Sequence, residues 1–176
     1  MIAPGAAWWG GGLAKQTDRH RHDWGVDLRH VRLGDPEVEP LLAGLGEEYE
    51  LRYGPGDEMA TARADDFDVP DGIFVVLVHG DETLAGGGIR RWSADTCEVK
   101  RVWTAPHHRR RGYASAVLDA LEPAARALGY TYIRAETGPA QPEALAFYTK
   151  RGYGEIPAYG PYEVATAFQR SLAADE

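Results

Sequence analysis

The chain of 176 residues contains a single cysteine, Cys97. That excludes an intramolecular disulfide and fits a reducing compartment. No apolar run reaches the roughly 18 residues that a membrane-spanning helix needs. Met1 to Leu13 carries no Lys or Arg and only a broken apolar stretch, unlike a secretory signal. The expected location is therefore the cytoplasm, with no membrane partner. Positive charge is also in deficit. Nineteen Lys and Arg face 27 Asp and Glu, for a net charge of −8, which argues against a nucleic-acid binder. No internal repeat is present, and the length suits one well-buried core better than two.

What charge there is, is segregated. Asp35 to Asp71 holds twelve acidic residues against Arg52 and Arg63, whereas Lys100 to Arg111 holds five basic residues, two histidines and no acid. One region suits cations and the other anions, or both are solvated faces.

Residues 1–25 lack periodicity and read as a flexible extension bearing Trp8, Trp9 and Trp24, with the domain spanning 26–176. The cluster His20-Arg21-His22-Asp23 lacks the spacing of a metal site, so no metal is expected. Val26 to Leu33 alternates as a strand. Asp35-Pro36 then supplies an N-cap and first-turn proline for a helix whose apolar face carries Val38, Leu41, Leu42, Leu45 and Tyr49. Gly54-Pro55-Gly56 ends it, and a short second helix is expected around Asp57 to Asp65. Ile73–Val78 and Thr83–Arg91 form a hairpin across His79-Gly80-Asp81-Glu82. Gly86-Gly87-Gly88 inside a strand suggests a bulge or a close backbone approach.

A third antiparallel strand spans about Thr96 to Ala105. A basic loop after Pro106 leads to a helix from near Gly112, with Ala114, Val117, Leu118, Leu121 and Leu128 on its buried face. Pro123 should kink that helix, and Gly129 closes it. Strand 131–136, helix 142–150 and strands 152–156 and 165–170 complete an α/β (α+β) single domain. Its mixed, mostly antiparallel sheet has six to seven strands flanked by about four helices.

The strongest local signal is Arg109-Arg110-Arg111-Gly112-Tyr113-Ala114, between a strand and a helix. Gly112 permits close backbone approach. The helix start offers unpaired N–H groups and the positive dipole end, an anion site reinforced by arginines. No Gly-Lys-Ser/Thr follows, so a Walker-type loop is excluded, and the dinucleotide fingerprint also fails.

Glu98-Val99-Lys100-Arg101-Val102-Trp103-Thr104-Ala105-Pro106, followed by Arg109-x-x-Gly112-x-Ala114, resembles the acyl-CoA signature of the GNAT superfamily of N-acetyltransferases. Downstream, Gln141-Pro142-Glu143-Ala144-Leu145-Ala146-Phe147-Tyr148-Thr149-Lys150-Arg151-Gly152-Tyr153 is similar to the family's Asn-x-x-Ala-x-x-Leu-Tyr-x-x-x-Gly-Phe segment. Gln141 stands for the usual Asn and Phe147 for Leu. The resemblance extends over about Val26 to Leu172.

It implies acetyl-CoA as co-substrate, its pyrophosphate cradled by Arg109, Arg110, Arg111, Gly112, Tyr113 and Ala114. Val102, Trp103 and Thr104 would offer strand-edge groups to the pantetheine arm, and Gln141 would lie near the cofactor. Tyr148 matches the family's common general acid. A backbone N–H would meet the developing oxyanion. Glu98 is the first choice of base; a strand glutamate paired with Lys100 or an arginine is the alternative, since some members use only ordered water. Cys97 is more often a small core residue than a nucleophile.

Acceptor specificity in this family lies in the first helices and the last hairpin. Here these carry Glu47, Glu48, Tyr49, Arg52 and Tyr53, with Tyr159 and Tyr162. The acidic and aromatic bias favours a cationic small-molecule amine, and Arg52, Arg90 and Arg91 keep an amino-acid-like acceptor open. A protein N-terminal or lysine acetyltransferase and a non-catalytic acetyl-CoA sensor are the competing readings. A homodimer is common in the family.

Overall fold

The computed structural model describes residues 21–22, 25–56, 62–161 and 164–173. The extension expected at 1–25, including its tryptophans and the His20 to Asp23 cluster, lies almost wholly outside the described side chains.

One mixed sheet organises the chain. Its strands are β1 (Arg21–His22), β2 (Val26–Val31), β3 (Ile73–His79), β4 (Glu82–Arg91), β5 (Thr96–Thr104), β6 (Tyr132–Thr137), β7 (Gly154–Ile156) and β8 (Thr166–Ser171), in the spatial order β1-β2-β3-β4-β5-β6-β8-β7. Seven strands run from Val26 onward, and the two-residue β1 adds an eighth. All neighbours are antiparallel except β5 and β6. Three α-helices are described: α1 (Glu39–Tyr53), α2 (Tyr113–Ala127) and α3 (Pro142–Lys150). None among the described residues is long and apolar enough to cross a membrane.

β3 shows why the sheet is covered on both faces. Every residue from Ile73 to Val78 is buried, as expected for a central strand with helices on both sides. Alternation sends Phe74, Val76 and Val78 to the cluster with Leu41 and Leu45 of α1. Ile73, Val75 and Leu77 go to the cluster with Val117, Leu118 and Leu121 of α2.

The expected α1 face is thus buried or half-buried as patterned. Asp35, however, does not cap that helix. A 3-10 turn, Pro36–Val38, precedes α1, and the Asp35 carboxylate accepts the Arg32 N–H at 2.9 Å. The short helix expected at Asp57 to Asp65 falls partly outside the described residues. What is described there is a 3-10 turn, Ala64–Phe67, stapled by the Asp66 carboxylate accepting the Arg63 N–H at 2.9 Å.

Pro123 lies on the exposed face of α2, which continues through it to Ala127. Gly129 does close the helix: its N–H bonds Arg126 O, and the Tyr130 N–H reaches Ala125 O, each at 3.0 Å. That pair of bonds is a Schellman arrangement, for which the positive φ of glycine is suited.

The three glycines of β4 answer to close packing. A Cβ on Gly86 would meet Leu41 Cδ1 and Val75 O at 2.7 Å, and one on Gly88 would meet the Phe74 ring at 2.5 Å. A bulge also falls here: Gly86 pairs with Trp103 but Gly88 with Lys100, leaving one extra residue on β5.

Candidate active site

β5 and β6 are hydrogen-bonded neighbours over only three pairs, Thr96–Tyr132, Cys97–Ile133 and Glu98–Arg134. Beyond Glu98 the strands part. Among the described residues, Val99 to Thr104 then has β4 on one side and no strand on the other, an edge whose backbone groups could meet a ligand. The opening is a cavity of about 590 Å³.

Its two halves follow the direction of β5. Toward the end of that strand the walls are Val102, Trp103 and Thr104, then Arg109, Arg110, Gly112, Tyr113 and Ala114. Gly112 is the N-cap of α2 with φ 86°, and having no side chain it leaves the first-turn N–H groups uncapped. A Cβ there would meet nothing within 4 Å, so the space before the helix is open. Uncapped amides, the helix dipole and Arg110 together suit a phosphorylated ligand. Arg111 does not line the cavity. Arg109 does, but it is already engaged, donating to Thr104 O at 3.2 Å and pairing with Glu48 at 2.7 Å.

Tyr148 of α3 also lines the cavity. Its ring stacks on Phe168 at 5.7 Å and meets Phe147 and Tyr153 edge-on or tilted. Only 6% exposed, its phenol is pushed well above the ordinary tyrosine pKa, first by burial and then by Tyr49 and Glu98. It is therefore held protonated, as a hydrogen-bond donor. Gln141 lines the wall at the start of α3, where its Oε1 accepts from Tyr53 Oη at 3.3 Å and Thr137 Oγ1 at 3.2 Å.

The candidate acceptor residues divide, with Tyr162 outside the described residues. Glu48, Tyr49 and Tyr53 of α1 line the cavity, with the two tyrosine rings edge-to-face at 6.2 Å. Arg52 does not line it. It bonds Ala140 O and Glu143, and pairs with Glu48 at 2.6 Å, so it fastens α1 to the approach of α3. Glu48 bridges Arg52 and Arg109, linking both halves of the site.

Glu98 is not among the cavity-lining residues. It is 1% exposed, and its carboxylate receives Arg90 at 2.8 Å, Lys100 at 3.1 Å and the Tyr159 hydroxyl at 3.0 Å. The paired-strand alternative is the arrangement found. Cys97 is fully buried, its thiol pushed up to about 12 by desolvation, which leaves it an inert core group.

Sequence reasoning passed over Glu136 of β6 and Arg101 of β5, both on the cavity wall. Glu136 Oε1 accepts the Gly160 N–H at 3.1 Å, while Oε2 is buried with no partner among the described residues. Arg101 has φ 58°, rare for a residue with a side chain, and marks the β5 bulge. Its Nη2 donates to Ala62 O at 3.1 Å and its guanidinium lies 5.4 Å from the Phe67 ring centroid. Burial, then the charge of Arg90, lowers its pKa. The alternation of β6 was readable for Glu136, but nothing local signalled that β5 and β6 separate there. Among the described residues no cluster of His, Cys, Asp and Glu could hold a metal ion.

Comparison with known proteins agrees with this geometry. The model of the acetyltransferase (GNAT) family matches residues 41–153. The uncharacterized N-acetyltransferase YjgM of Escherichia coli (strain K12) is 26% identical over 137 residues, covering 73% of this chain and 82% of that protein. An IAA acetyltransferase of Azospirillum brasilense is 35% identical over 97 residues, 53% of this chain and 61% of its own length. Among solved structures, an acetyltransferase from Streptococcus agalactiae superposes with TM-score 0.70 at 15% identity, over 84% of this chain and 99% of that one. A GNAT family acetyltransferase from Elizabethkingia anophelis with acetyl-CoA bound gives 0.61 at 16% identity, over 84% and 98%. The cavity between parting strands and the family match together identify the chain as an acyltransferase that belongs to the acetyltransferase (GNAT) family.

Proposed function

We propose that this acetyltransferase moves an acetyl group from acetyl-CoA to the primary amine of a small molecule, by direct attack within a ternary complex, and that residues 26–176 form the catalytic domain. The observation that carries this reading is a single cavity running from the uncapped start of α2 to Glu136, with Tyr148 on its wall. Donor and acceptor would meet there without a covalent enzyme intermediate, and the only cysteine is buried.

Acetyl-CoA is the second substrate and supplies the activated acyl carbon. Arg110, Gly112, Tyr113 and Ala114 would receive its pyrophosphate, and the free edge of Val102 to Thr104 its pantetheine arm. The amine must attack unprotonated. Glu136 has on the cavity wall a buried carboxylate oxygen with no partner among the described residues; Glu98 has three partners and no place on that wall. Glu136 is therefore the better candidate to take the proton, directly or through water. As the amine nitrogen bonds the carbonyl carbon, the C–S bond breaks and the sulfur leaves with the electron pair. Tyr148, held protonated by burial, is suited to give that sulfur its proton. Glu98 then serves as a positioning residue through Lys100 and Tyr159.

Calorimetric titration with acetyl-CoA, in the wild type and in Gly112→Trp, tests the donor site. Micromolar binding abolished by the substitution in a folded protein supports it, and a thiol-release screen over small amines and peptides then tests the acceptor. A folded wild type that binds no acetyl-CoA would overturn the reading, and turnover of peptides alone would overturn the small-molecule part.

A further inference from the structure

The acceptor half of the cavity carries charge of both signs from different strands. On β5, Lys100 and Arg101 line it; on β6, Glu136 does. Lys100 pairs with Glu98 at 3.1 Å and Arg101 bonds Ala62 O; the other charged groups on the wall lie on α1, on α3 or toward the donor side. Glu48 pairs with Arg52 and Arg109, Glu143 is bonded by Arg52, and Arg110 belongs to the loop before α2. Resting on the function proposed above, we infer that the acceptor is an aminocarboxylate of amino-acid size. Arg101 receives the carboxylate, and Glu136 receives the amine.

Three observations converge on this. Arg101 occupies the left-handed region at φ 58° where β5 holds one residue more than β4. A bulge of this kind re-aims a side chain, and here the re-aimed residue is a guanidinium on the cavity wall. A planar guanidinium matches a carboxylate bidentately, more strongly where water is excluded. Second, Glu136 Oε2 is buried without a partner among the described residues. A buried carboxylate oxygen calls for a cation or donor, which an acceptor ammonium provides before it loses its proton. Third, the Arg101 guanidinium is seated before any ligand arrives, by Ala62 O and the Phe67 face. Little side-chain ordering is left to binding.

The test uses matched acceptors with the full chain: free amino acids, their primary amides and the corresponding amines lacking the carboxylate, followed by thiol release. The expected result is a kcat/KM for the free acids at least about tenfold above that of their amides, as a charge-assisted bidentate contact should give. In Arg101→Met that ratio should fall to about one, with Arg101→Lys between. Thermal unfolding of each variant separates loss of fold from loss of preference. If Arg101→Met does not fold, the Arg101→Lys ratio decides. Amides or simple amines used as well as the acids by the wild type would overturn the inference, as would a preference that survives in both folded variants. If the wild type fails to bind acetyl-CoA by calorimetry, the acetyl-transfer reading falls first and this one with it. Binding and turnover without a carboxylate preference would sink this inference alone.

Discussion

The hydroxyl of Tyr159, in the loop between β7 and β8, donates to Oε1 of the buried Glu98 at 3.0 Å. The same carboxylate holds Arg90 of β4 and Lys100 of β5. The Tyr159 ring also covers Arg134 of β6, 4.4 Å from the guanidinium carbon. Next along the chain, Gly160 donates to Glu136. A carboxylate outside the cavity thus fixes the loop that contacts the carboxylate inside it.

Glu98→Gln should consequently behave as a structural substitution. Removing the anion takes their common partner from Arg90 and Lys100, each with only 18% of its side chain exposed; Arg90 keeps Asp66 at 3.4 Å, so the loss should stay below the roughly 3–5 kcal/mol of a fully broken buried pair. Thermal denaturation should show a drop of several degrees. The pH dependence of kcat on the remaining folded enzyme should match wild type. A lost acidic limb would instead restore Glu98 as the base.

Tyr148→Phe keeps the ring that packs on Phe168 and Tyr153 and removes only the hydroxyl. Turnover should fall about 10²-fold or more, in the range of a lost general acid, while acetyl-CoA affinity by calorimetry stays within about twofold. Equal losses in both would mean the phenol is a packing group.

A Cβ on Gly160 would come within 1.9 Å of Glu136 Oε2. The obstacle is the end of a side chain, so the carboxylate should turn aside and the fold should survive. Gly160→Ala should therefore lower kcat/KM for the acceptor about tenfold or more with little change in melting temperature. Glu136→Gln should give a loss at least as large. Unchanged activity in both would remove Glu136 from the site.

Alkaline pH should destabilise the fold. Burial raises the pKa of Tyr148 and Tyr153 above the ordinary 10.0, so the unfolded chain ionises first as pH climbs. Their contribution is intact below about pH 10 and is lost above it, at about 1.4 kcal/mol per pH unit for each buried tyrosine. Urea denaturation from pH 8 to 11 should show this fall, with a shallower slope in Tyr153→Phe.

Much of this molecule was written locally. Alternation in Val26 to Val31, the apolar stripe of α1 and the glycine ending α2 act within a few residues, so most strands and helices could be read one segment at a time. The uncapped start of α2 was legible for the same reason: Gly112 and its neighbours shape it locally. Only the tertiary structure decided the other half of the site. Glu98 and Glu136 are both strand glutamates in sequence. One is enclosed by Arg90, Lys100 and Tyr159, and the other opens on the cavity because β5 and β6 part after three residue pairs. Likewise Arg101 reaches the cavity through a bulge set by the register of β4 against β5. Register and strand separation arise from contacts between segments far apart in the chain, and a one-residue slip reverses which face each side chain takes. No local pattern encodes that choice.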